Sequence, residues 1–467
     1  MSTEYYTTIG LEIHAELKTK SKMWCDCRNN PDSSKPNINT CPICMAHPGT
    51  LPVPNLEAIK KVTQVGLAIG ANIADFTEFD RKNYFYPDIP KGYQITQYKY
   101  PIVSGGKLAG VDITRIHLEE DTAKSLHENG DFTLIDFNRA GVPLMELVTE
   151  ACIHDAETAV RFAKELQLIL RSVDASDANL DLGQMRVEVN ISVSTDKNKF
   201  GTKVEIKNLN SFKTVEKSIE YEVKRHIKAI ESGEAIVQET RGWDETKQST
   251  FSQRKKENAH DYRYFPDPDI PKFYLSKLFD LDEMKKNLPE LPAQRRERLT
   301  SLGLKADTVE ILTGDLVLSN FMDSLGETEG KFLSLASNYL ITDILGNLKK
   351  DGLEIKNETL PNINSFKELI KLNIENKLSS RGVKDLLPFI AEEISVEKLA
   401  EEKGYIQKND IDSLTKIVDE VIAGNEKEWA AFKAGNDKLT MFFVGKCMKA
   451  SGGAGNPGLF QEIIKTK

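Results

Sequence analysis

The chain has 467 residues, 40% of them apolar and 28% charged, with a formal net charge of −9 from 62 basic and 71 acidic residues. This length implies about three domains. The composition excludes wholesale disorder, and the acidic balance excludes a uniformly basic surface while leaving room for a local basic patch. No apolar run approaches the roughly 18 residues a membrane helix needs. No basic, apolar leader opens the chain, so a cytoplasmic protein without a membrane partner is expected.

In chain order, the first candidate element is the strand Gly10–Leu17, where Glu12, His14 and Glu16 alternate with Leu11, Ile13 and Leu17. Cys25, Cys27, Cys41 and Cys44 follow, four of the six cysteines, as two close pairs spanning a loop rich in Asn and Pro. In a chain of this size without a leader, such clustering argues against a disulfide framework. Two knuckles of this kind hold one tetrahedral Zn²⁺, and four sulfur donors close the shell, which makes the site structural. Reduced thiols without metal are the alternative. Cys152 and Cys447 stand alone and read as small packing residues.

Two segments interleave aromatic and basic residues. One runs from Phe79 through Arg81, Lys82 and Tyr84 to Asp88, continuing to Gln97; the other is His260–Asp267. They suit stacking on bases and contact with phosphates, or else a buried aromatic cluster. Period-two patterns recur at Met185–Ser194, which puts Arg186, Glu188 and Asn190 on one side, and at Lys203–Lys207, with Lys203, Glu205 and Lys207 on one side. Helical spacing follows Asp155 (Ala159, Phe162, Ala163, Leu166, Ile169, Leu170) and Ser211 (Val215, Ile219, Val223, Ile227). Strands and helices in this order predict an α+β fold with an antiparallel or mixed sheet.

Prolines between 266 and 292 mark a boundary, and the pattern beyond it is helical. Leu414, Ile417, Val418, Val421 and Ile422 form a stripe ended by Gly424, and Asn456–Pro457 reads as the cap and first residue of a last helix. The final stretch, 431–467, has 6 Lys against 2 acidic residues. It could meet phosphates, or be an ordinary solvated end.

Glu12, Glu188 and Glu205 stand on the free sides of three candidate strands, accompanied by His14 and Lys203. Converging carboxylates with one imidazole would suit Mg²⁺. A phosphate loop of the G-x-x-x-x-G-K-[ST] type and the protein-kinase motifs are absent from the sequence.

The stretches GLEIHAELKTKSKMWC, CPICMAHPGTLP, FDRKNYFYPDIPKGYQITQ, RIHLEEDTAK, DFNRAGVPLMELV, MRVEVNISV, GTKVEIKNLNSF, HDYRYFPDPDIP and GKCMKASGGAGNP resemble the family of B subunits of bacterial aspartyl/glutamyl-tRNA amidotransferases, over essentially the whole chain. The resemblance implies a cradle-like catalytic domain over 1–291, a helical domain over 292–400 and a helical tRNA-binding tail over 401–467. It implies a carbon–nitrogen ligase that uses ATP and Mg²⁺ to phosphorylate the side-chain carboxylate of Glu-tRNA(Gln) or Asp-tRNA(Asn). A partner amidase subunit would supply ammonia, and a small linker subunit would complete a heterotrimer. It also implies Mg²⁺ ligands at Glu12, His14, Glu120, Glu146, Glu188 and Glu205, although alternation sets Glu119 and Glu120 on opposite sides of their strand. Lys203 is the expected phosphate contact, with Arg81 and Lys82 behind it, and the four cysteines match the zinc-bearing branch. A zinc-bearing RNA-binding scaffold without chemistry is the competing reading. Clustered acids speak against it, because they would repel RNA phosphates. The chain carries no Gly-Ser-rich amidase segment, so it should not use glutamine alone.

Overall fold

The computed structural model describes residues 3–126, 131–255, 262–407, 410–452 and 455–467. His260 and Asp261 of the second aromatic segment lie outside the described residues. The chain divides into two compact units, Met1–Pro292 and Ala293–Lys467.

The first unit contains, in order, β1 (Tyr6–Glu16), α1 (Leu56–Ala68), β2 (Asp80–Asn83), β3 (Tyr93–Thr96), β4 (Val111–Glu120), β5 (Pro143–Thr149), α2 (Ala156–Ser172), β6 (Met185–Ser194), β7 (Val204–Leu209), α3 (Phe212–Ser232), β8 (Glu239–Asp244), β9 (Ser249–Lys255) and β10 (Phe265–Pro266). Its main sheet runs β9-β8-β7-β6-β1-β5-β4 and ends in the short strands Val103–Ser104 and Asn72–Ile73, with Lys107–Leu108 beside β4. Every pair is antiparallel except β7 with β8. The sheet is therefore mixed, in agreement with the α+β expectation.

Alternation decides the two faces. Ile9, Leu11, Ile13 and Ala15 of β1 are fully buried, as are Val187, Val189 and Ile191 of β6. They share one core with Ile59 and Val62 of α1, Phe162, Leu166 and Ile169 of α2, and Val215 and Ile219 of α3. Each large side chain taken from water there stabilises by roughly 1.5–3 kcal/mol. The helices start where the sequence supplies caps. Asp155 accepts from Thr158 N–H and Ser211 from Thr214 N–H. Gly233, at φ 70°, ends α3 in the left-handed region that glycine tolerates. With α1, α2 and α3 on the apolar face, the other face carries Glu12 and His14. A second sheet, β10-β2-β3, carries the aromatic-basic segments.

The second unit is helical and has two apolar cores, one from Leu299 to Ala400 and one from Leu414 to Ile464. The helix Ile411–Ala423 carries Leu414 and Val418 into the latter, and Asn456 caps Pro457–Thr466 as its sequence suggests. Cys447 is fully buried in this core, while Cys152 packs half-buried against the first unit's core.

Candidate active site and metal centres

The polar face of β1 meets matching residues on both neighbours. Glu12 pairs with Glu188 on β6, and His14 pairs with Glu146 on β5. Glu146 pairs in turn with His117 on β4, and Asn190 on β6 with Glu205 on β7. Opposed side chains on one face sit close enough to interact. Two clusters result. The ligand atoms of Glu12, Glu188 and Glu205 lie within 4.8 Å of one another, and so do those of His14, Glu119 and Glu146.

Each cluster has its own cations. The Lys207 ammonium lies 2.6 Å from Glu188 and 3.5 Å from Glu205. Burial works against that ammonium, but Glu188, Glu205 and Glu12 raise its proton affinity above the ordinary lysine range. In the second cluster, His14 and His117 each place Nε2 at 3.3 Å from the same Glu146 oxygen and 3.8 Å from Glu119. Burial disfavours both imidazolium ions, yet the carboxylates outweigh it: His14 is raised, and His117 reaches about 9. Burial would raise Glu146, but the two histidines hold it well below the usual carboxylate range.

Two hydrogen bonds orient the first cluster: Asn190 Nδ2 donates to Glu12 at 2.8 Å and Thr240 Oγ1 to Glu205 at 2.9 Å. The buried Nδ1 atoms of His14 and His117 and Oδ1 of Asn190 have no hydrogen-bond partner among the described residues. Oxygen donors in excess, partly balanced by protons and lysines, with spare polar atoms around them, fit a hard divalent cation such as Mg²⁺.

The aromatic-basic segments converge beside the second cluster. Asn83 Nδ2 donates to the carbonyls of Tyr262 and Arg263. Tyr98 stacks on Tyr264 with ring centres 4.3 Å apart. The Lys82 ammonium lies 5.0 Å from the Tyr262 ring centre. Burial opposes its charge, and Glu119, Tyr264 and Glu146 override this and raise its proton affinity. Phe85 and Tyr86 remain exposed nearby in sequence. The segments thus combine two proposed natures: a packed aromatic cluster and open rings.

The four cysteine sulfurs also fall within 4.8 Å of one another. Cys41 N–H donates to Cys44 Sγ at 3.1 Å. The Cys44 thiol is lowered to about 5, first by the hydrogen bond from the Cys25 thiol and further by the Cys41 N–H and Lys22. Four soft sulfur donors, one already held towards the thiolate, fit Zn²⁺ and not a hard ion.

Several expected site residues are placed elsewhere. Glu120 is in neither cluster. It points away from Glu119, and its carboxylate is held by Lys91 at 2.8 Å and by the Ile95 N–H at 3.0 Å. Glu119 occupies the place expected of it, because β4 alternates and His117 shares its face. Lys203 precedes β7 and is exposed, whereas Lys207, two alternations further on, reaches the carboxylates. Arg81 is paired with Asp267 and Asp269 at 2.8 Å each and lies 4.3 Å from the Tyr93 ring centre. It braces the second sheet. His117 and Lys207 stand at the clusters although the sequence did not single them out as site residues, and Glu119 is the alternative that the sequence had left beside Glu120. Alternation around Arg115, His117 and Glu119 is the signal that could have found His117.

A family model described as the GatB/GatE catalytic domain matches residues 7–279, and one described as the GatB domain matches residues 321–467. Among the aspartyl/glutamyl-tRNA(Asn/Gln) amidotransferase B subunits, that of Gloeothece citriformis (strain PCC 7424) is 42% identical over 100% of this chain and 98% of its own length. The protein of the same description from Thermodesulfovibrio yellowstonii is 41% identical over 99% of this chain and 98% of its own. Among the chloroplastic/mitochondrial glutamyl-tRNA(Gln) amidotransferase B subunits, that of Physcomitrium patens is 41% identical over 99% and 85%. The chain belongs to the GatB family, the B subunits of the tRNA-dependent amidotransferases.

Proposed function

We propose that this chain activates the side-chain carboxylate of Glu-tRNA(Gln) or Asp-tRNA(Asn) with ATP, and that ammonia from a partner amidase subunit then converts it to the amide. The carrying observation is the pair of acidic clusters on the sheet face opposite α1, α2 and α3, flanked by Lys82 and Lys207. A carboxylate is a poor acyl donor. Its oxygen attacks the γ-phosphorus of ATP, a new O–P bond forms, and ADP leaves. Ammonia then attacks the acyl carbon, phosphate leaves, and the nitrogen gives up a proton. The protein's part is positioning and charge neutralisation.

Glu12, Glu188 and Glu205, with His14, Glu119 and Glu146, would hold Mg²⁺, which screens phosphate charge when bound. Lys82 and Lys207 approach the phosphates, and Asn190 and Thr240 keep two carboxylates aimed. Arg81 holds the aromatic segment to which Lys82 belongs. The cysteine quartet, holding Zn²⁺, stiffens the loop after β1. The Lys-rich tail, 401–467, contacts tRNA, the region 292–400 forms a separate helical domain, and a small linker subunit completes a cytoplasmic heterotrimer.

Reconstitution with the partner subunits and each misacylated tRNA tests this reading. Amide formation should require ATP and Mg²⁺ and should vanish in Glu12→Ala and His14→Ala proteins that keep their fold and zinc. Undiminished transamidation in those variants, or amide formation without ATP, refutes it. The lone chain should show no glutaminase activity.

A further inference from the structure

Lys22 lies between β1 and the cysteine knuckles and is fully buried. A buried ammonium is costly unless an anion or several acceptors surround it. Among the described residues, no aspartate or glutamate forms an ion pair with Lys22. Glu120, which borders Gly141 as the Lys22 stem does, is engaged by Lys91. Among the described residues the Lys22 ammonium has two acceptors: the Phe137 carbonyl at 3.0 Å and Cys44 Sγ at 3.9 Å. One is neutral. The other is a metal-ligand sulfur in the proposed zinc site, on which this inference rests.

Four thiolates around one Zn²⁺ carry a net charge of about −2. A donor aimed at one sulfur offsets part of that charge and draws electron density from the sulfur. Neighbouring contacts hold the lysine in place. Met23 N–H donates to the Gly141 carbonyl at 2.7 Å and Gly141 N–H to the Asp121 carbonyl at 2.9 Å. Gly141 has φ 84°, and a Cβ there would meet Cys44, Glu120 and Lys22 at 3.8 Å each.

We infer that Lys22 is a positioning residue for the zinc centre: its buried ammonium donates to the Cys44 thiolate, balances the charge of the four-sulfur site, and ties the knuckles to the turn around Phe137–Gly141. The asymmetry is specific, because the contact is made to Cys44 and not to Cys27.

The test uses the full chain and three readouts: zinc per chain, the rate of zinc transfer to a chromogenic chelator, and alkylation of Cys44 and Cys27 mapped by mass spectrometry. Lys22→Met should release zinc about tenfold faster or more, the usual cost of losing a partner behind a metal ligand. It should also raise alkylation of Cys44 relative to Cys27. Unchanged release with an unchanged Cys44-to-Cys27 ratio overturns the role of Lys22 while leaving the zinc reading standing. Absence of zinc from the unaltered protein overturns both. Should Lys22→Met alone not fold, the change is placed in Cys44→Ser and Cys27→Ser backgrounds. It should raise the melting temperature of the former, whose lysine has lost its anion, and not of the latter; equal effects in both overturn the proposal.

Discussion

Replacing Lys207 by Met tests the electrostatic logic of the sheet face most directly. Glu12, Glu188 and Glu205 bring three carboxylates together, and the Lys207 ammonium lies 2.6 and 3.5 Å from two of them. In the resting protein this ammonium competes with any divalent ion for the same oxygens. Unit charges 4 Å apart interact by about 1 kcal/mol in water and about 4 kcal/mol at the effective dielectric of a partly buried site. The lysine side chain is 37% exposed, which favours the lower part of that range, roughly 1–2 kcal/mol. Removing it should therefore tighten binding of Mn²⁺, used in place of Mg²⁺, by about five- to thirtyfold. Transamidation should fall, because the phosphates lose a cation. Calorimetric or paramagnetic-resonance titration without nucleotide measures the first effect. Lys207→Arg keeps the charge and should show no such tightening. Equal or weaker Mn²⁺ binding in the Met variant refutes the reasoning.

The neighbouring glutamates of β4 should part company on substitution. Glu119→Gln should lose divalent binding with little change in melting temperature. Glu120→Gln takes the charged partner from the partly exposed Lys91 and weakens the acceptor of the Ile95 N–H, a loss of about 1–3 kcal/mol, and should show as a lower melting temperature in calorimetry. The Glu222 side chain is fully buried on α3, with Arg225 at 2.8 Å, and His226, Arg225 and Thr250 overcome its burial to hold its pKa at about 2. A lowered carboxylate stabilises the fold above its unfolded pKa, about 4.5, and that contribution is lost as pH falls towards 2. The stabilisation is roughly 3 kcal/mol, so Glu222→Gln should flatten the acid limb of a stability–pH curve measured by urea unfolding. His117, raised to about 9, acts in the opposite sense. Its contribution is complete below about 6.5 and fades as pH rises through 9, so His117→Asn should make metal-free stability less sensitive to alkali. Stripping zinc with a strong chelator should lower the melting temperature, and re-addition should restore it.

Much of this was legible locally. The period-two patterns at Glu12–Glu16 and Met185–Ser194 assigned polar and apolar sides before any partner strand was known, because successive strand residues must face opposite ways. The caps Asp155, Ser211 and Asn456 marked helix starts, since their side chains satisfy the first free N–H groups. Cysteine spacing likewise announced four converging thiols. What a strand cannot state about itself is its register against another more than a hundred residues away. Alternation sets Glu119 on the side of His117 and Glu120 on the other, and the pairing of Glu146 with His14 and with His117 shows which of those sides meets the polar face of β1. Only the β6–β7 register brings Lys207 to 2.6 Å from Glu188, while Lys203 precedes the strand and is exposed. Nothing along the chain announced that Lys22 would be buried against Cys44, because burial is a property of the packed fold and not of the residue.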